Sequence, residues 1–142
     1  MIEVVVNTNT FSRGTSGNVI GEIFLRGCQG EFPENRWSDF PVIILAWWID
    51  GLKTVIMGRT DLYVGMFMEG PFAFVIERSS GVTGRVSWGK ADEPQPIEEI
   101  DINDLLDSAI SAGRQVVAAC HARDWSNADL NALETAVSRS AA

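Results

Sequence analysis

Ser38-Asp39-Phe40-Pro41-Val42-Ile43-Ile44-Leu45-Ala46-Trp47-Trp48-Ile49-Asp50-Gly51-Leu52-Lys53-Thr54-Val55-Ile56-Met57-Gly58 is the stretch on which the fold turns. Ser38 or Asp39 suits a helix N-cap, Pro41 suits the first turn, and Gly58 offers a stop after Met57. Apolar side chains from Val42 to Ile56 cover most of the circumference of such a helix, and Asp50, Lys53 and Thr54 leave only a narrow polar stripe. A helix patterned this way has to be covered on more than one side. Its unbroken apolar run, Val42 to Ile49, is far short of the roughly twenty residues that a membrane span needs. The stretch therefore reads as the central helix of a core, not as a membrane anchor.

Working outward, Ile2 to Thr8 and Asn18 to Arg26 are rich in β-branched residues, with turn formers from Thr10 to Gly17 between them, which predicts two strands joined by a loop. Gly27 to Arg36 carries Gly, Pro and Asn punctuation and is expected to be irregular. Beyond the helix the pattern changes to short runs: Leu62 to Met68, Phe72 to Arg78 and Arg85 to Trp88, separated by Glu69-Gly70-Pro71 and by Ser79 to Gly84. That is the pattern of an antiparallel meander. Lys90 to Pro96 reads as a polar linker, and Ile97 to Ile102 as an edge strand.

Asp101 or Asn103 can cap a second helix, along which Leu105, Leu106, Ala109, Ala112, Val116 and Cys120 recur at helical spacing. Gly113 in its interior costs about 1 kcal/mol against Ala, so close packing or a local weakness is expected there. Ser126 with Asp129 forms a variant capping box for a short third helix, and the tail from Ser138 is expected to fray. The prediction is a single domain over residues 1–142 with a two-layer α+β fold. In it an antiparallel sheet of about five or six strands packs against the central apolar helix and the C-terminal helices.

The formal net charge is −8, the wrong sign for a surface that binds phosphates, which argues against nucleic acid as a partner. Residues 1–90 hold nine acids against eight bases, whereas residues 91–142 hold ten against three, so the excess lies in the last third. Met1-Ile2-Glu3-Val4-Val5-Val6 has no basic leader and reads as a strand, which makes a cytoplasmic location the expectation. Cys28 and Cys120 are expected to be free thiols, as suits a reducing compartment.

Chemistry-bearing patterns are sparse. His121 is the only histidine, and neighbouring helical residues point about 100° apart, so Cys120 and His121 do not form a dyad. Two cysteines and one histidine fall short of a zinc site, and the acids near Asp101 lack the calcium-loop spacing. Arg13 to Gly17 and Ser79 to Gly84 lack the lysine or the spaced glycines of phosphate loops. Glu98 with Glu99 would point to opposite faces of a strand, and Asp104 with Asp107 sits where a helix start favours acids anyway. No nucleophile, metal or cofactor is assigned.

One concentration remains: Asp92, Glu93, Glu98, Glu99, Asp101, Asp104 and Asp107 run through residues 91–113 without a Lys or Arg. As a surface it would attract a basic protein partner, with Trp88 as an aromatic anchor at its flank. Trp37-Ser38-Asp39-Phe40-Pro41 leading into Leu45-Ala46-Trp47-Trp48, then Phe67-Met68-Glu69-Gly70-Pro71-Phe72, resembles a pattern in small acidic bacterial proteins of the immunity-protein type. The resemblance spans residues 37–78 and implies a cytoplasmic protein that neutralises a cognate toxin domain, often a basic nuclease blocked by acidic side chains. Two other readings stand beside it. One is a small-ligand or enzyme domain with a sheet–helix pocket lined by Trp48, Phe67 and Phe74; the other is a homo-oligomeric subunit.

Overall fold

The computed structural model describes residues 1–138. The chain runs β1 (Glu3–Arg13), β2 (Val19–Gly27), β3 (Gly30–Phe32), β4 (Ser38–Asp39), α1 (Pro41–Ile56), β5 (Leu62–Met66), β6 (Phe72–Ser80), β7 (Thr83–Lys90), β8 (Gln95–Asp101), α2 (Ile102–Ala122) and α3 (Ala128–Ser138). The class is α+β and every strand pairing is antiparallel. The strands divide between two four-stranded sheets rather than forming one. The first sheet orders β1-β2-β3, with β4 also on β2, and the second is the meander β5-β6-β7-β8. Local hairpins account for the division: α1 separates the two groups, and side chains rather than ladder hydrogen bonds close the seam between them.

That seam is aromatic. Phe32 stacks on Trp88 with ring centroids 5.0 Å apart and meets Phe67 and Phe72 edge-on. Its burial explains why β3 forms in a stretch expected to be irregular, since Phe32 pairs with Leu25 while its ring enters the core. β1 likewise runs past the expected turn at Thr10, because Phe11 is buried with its ring against Gly21 of β2.

α1 starts at Pro41, but its cap is Phe40 and lacks a side-chain hydrogen bond. Asp39, expected as a cap, is instead wholly buried and accepts from the Trp37 indole and from the backbone N–H groups of Phe40, Met68 and Glu69. Lys53 is not on the polar stripe either. It is buried, and its ammonium donates to the Ala136 carbonyl in the last turn of α3, where the helix dipole favours a cation.

α2 and α3 complete the layer. An atom added at Gly113 would lie 2.7 Å from Val137, 3.3 Å from Ile49 and 3.4 Å from Leu133, so this glycine is where the three helices meet. Asn127 rather than Ser126 caps α3, accepting the Leu130 N–H at 2.8 Å. The expected tail beyond Ser138 lies outside the described residues. Among the described residues, no helix is long and apolar enough to cross a membrane. Cys28 is exposed and Cys120 buried, and both are free.

Candidate functional site

β8 passes into α2 without a loop. Ile100 and Ile102 are buried on either side of the junction, which turns Asp101 outward to cap the helix. Its carboxylate accepts from Asn103 N–H at 2.8 Å and Asp104 N–H at 3.4 Å. Glu99 is exposed two residues before it, opposite Arg85 of β7, and Asp104 and Asp107 are exposed on the first two turns of α2. Glu99, Asp101 and Asp104 line a depression of about 190 Å³ together with Met1, Ile2, Ile100 and Leu105. Among the described residues no Lys or Arg lines it, although Met1, whose ammonium pairs with Glu98, does. The corner can therefore accept hydrogen bonds and charge from a cation, but it contains no nucleophile.

The remaining acids of the stretch are elsewhere. Asp92 and Glu93 are exposed in the turn between β7 and β8. Asp101 is the last of the seven residues of β8, which carries it away from them at about 3.3 Å per residue. Glu98 faces inward on the same side of β8 as Ile100, where it accepts the Cys28 N–H at 3.0 Å and pairs with the amino group of Met1. Burial pushes its carboxyl up, but hydrogen bonds from the Cys28 side chain, the amino group and the Cys28 backbone, with the amino group's charge, hold it down at about 2. The same contact with Glu98, followed by burial, raises the Cys28 thiol. Glu98 is thus part of the seam rather than of an open acidic face.

Trp88 is not an anchor for a partner. It is 8% exposed, because its side of β7 faces the core and its ring is stacked on Phe32. Trp125, half-buried, has the guanidinium groups of Arg13 and Arg123 over its ring, 5.8 and 5.4 Å from the ring centre. The aromatic trio expected to line a ligand pocket is packed solid: Trp48 meets Phe67 and Phe74 edge-on, each at 5.1 Å, and all three are buried.

Cys120 and His121 are divided as helical geometry requires. Cys120 is buried, which raises its thiol pKa against the lowering effect of Arg123, while His121 is exposed 2.7 Å from Glu134 of α3. Among the described residues, no group of three His, Cys, Asp or Glu side chains is placed to hold a metal ion.

Sequence reasoning missed two features. Asp39 and Glu22 are buried carboxylates, Glu22 paired with Arg36 at 3.1 Å. Leu62, Val64 and Met66 are exposed. The signal for the second was present, because Leu62 to Met68 has no charged residue on either face, and one face of an edge strand is open. Comparison with protein-family models, with curated proteins and with solved structures finds no match to this chain.

Proposed function

We propose that the chain is a non-enzymatic protein-binding domain whose β8–α2 corner receives basic side chains of a protein partner. Its most concrete form is an immunity-type inhibitor of a basic toxin domain, acting in the cytoplasm. The observation that supports this reading is the depression lined by Glu99, Asp101 and Asp104, with Asp107 one turn further along α2, on a chain of net charge −8. Carboxylates gathered in a concavity strengthen one another's field and speed the approach of a cationic surface, in a manner that salt screens. The reading rests on this corner and not on the whole acidic stretch.

The test is affinity capture from lysate of the source cell with the wild-type chain and with Glu99→Lys/Asp104→Lys, at low and at high salt. A basic protein held by the wild type at low salt, released at high salt and lost with the variant supports the proposal. The immunity form further requires that co-expression of the chain relieve the toxicity of that protein. Equal capture by the variant, or no protein captured by either, removes the corner from the account.

A further inference from the structure

The second sheet has one face against the helices and one face open. Tyr63, Phe74, Ile76 and Val86 point to the helical side, where Tyr63 lies against Gly51 of α1. Alternation along the strands sends Leu62, Val64, Met66, Val75, Glu77 and Arg85 to the other side. Leu62, Val64 and Met66 are 49%, 42% and 39% exposed, an apolar column along β5 that continues into half-buried Val75 of β6. Across the same face, Leu62 is in register with Glu77, Glu77 with Arg85, and Arg85 with Glu99. Among the described residues, neither Glu77 nor Arg85 takes part in an ion pair.

We infer that this open face binds a second copy of the chain, sheet against sheet. The charge pattern argues for a copy of itself. A two-fold axis parallel to the strands and midway between β6 and β7 places Glu77 of one chain over Arg85 of the other, and the reverse. The same operation sets Leu62 over Glu99 of the second copy, Val64 over its exposed Pro96 and Val75 over its Ser87. Adjacent opposite charges on the two central strands are thus self-complementary, as an isologous contact requires. Apolar β5 falls at the two rims of the paired sheets.

Asp92, Glu93, Asp104 and Asp107 stay outside the contact, whereas Glu99, which also lines the β8–α2 corner, lies at its rim. Four strands about 4.8 Å apart make a patch at the small end for a specific interface, so the association is concentration-dependent.

Sedimentation velocity over roughly 10 μM to 1 mM tests it, a range matched to an interface of this size. The wild type should pass from monomer to dimer. Val64→Asp, at an exposed position, and Arg85→Glu should each raise the dissociation constant about tenfold or more, and adding Glu77→Arg to Arg85→Glu should recover most of that loss. Near-UV circular dichroism establishes that each variant is folded, and the charge exchange keeps the test decisive if Val64→Asp is not. A wild type that stays monomeric, a dimer indifferent to all three substitutions, or a charge exchange without recovery would overturn the inference.

Discussion

The Met68 backbone N–H donates to the carboxylate of Asp39 at 3.1 Å, joining the end of the first sheet to the turn that links β5 and β6. Glu69 N–H at 3.1 Å, the Trp37 indole at 3.0 Å and Phe40 N–H at 2.7 Å occupy the same carboxylate. Asp39→Ala leaves these part-buried donors without their shared acceptor. We expect a loss of roughly 2–4 kcal/mol in urea unfolding. Asp39→Asn should also destabilise, since its amide presents hydrogens to groups that are themselves donors.

Gly51 lies in the middle of α1, where Ala would ordinarily be favoured by about 1 kcal/mol. The ring of Tyr63 rests on it, and the phenol donates to the Trp47 carbonyl at 3.1 Å. Burial, then the charge of Asp50, raises the phenol pKa. Gly51→Ala should therefore destabilise by about 1–3 kcal/mol despite its better helix propensity. In a Tyr63→Leu background the cost should shrink or reverse, which a double-mutant cycle by chemical denaturation measures.

Glu98 links stability to acid. Its folded-state pKa of about 2 lies below the ordinary 4.5, so its contribution is full above the ordinary value and is lost as pH falls toward 2. Glu98→Gln should melt below the wild type at pH 7, and the gap should close as the pH approaches 2. Parallel thermal melts across that range check the sign.

Asp101 and Asp104 separate folding from binding at the acidic corner. Asp101→Ala removes the α2 cap and should cost about 1 kcal/mol in thermal or chemical unfolding. Asp104→Lys should slow association with a basic partner, seen as a reduced on-rate, and should lower stability by no more than the few tenths expected for a charge near a helix N-terminus. Asp92→Lys, at the far end of β8, should leave the on-rate close to that of the wild type.

Where the chain carries its own punctuation, its structure could be read directly. α1 was expected over Pro41 to Met57 and spans Pro41–Ile56 because Pro41 and Gly58 bracket it. The cap at Asp101 and the close packing at Gly113 follow from local chemistry in the same way. Strand alternation shows which residues share a face, but not what that face meets. Alternation alone therefore offers Trp88 as a surface anchor although its ring stacks on Phe32, and groups Glu98 with the exposed acids although it faces Cys28. The division into two sheets was equally hidden, since it depends on which strands find each other and not on any one strand's pattern. Of the acidic stretch, Glu99, Asp101 and Asp104 share the corner, and Asp107 lies one turn along α2 in a separate depression with Arg114.

The stack of Phe32 on Trp88 bears on how the chain comes apart. Neither sheet can melt while the other stays intact without leaving one of these rings, with Phe67 and Phe72 around them, facing water. The two sheets therefore form a single cooperative unit, and calorimetry should record one heat-absorption peak whose van't Hoff and calorimetric enthalpies agree.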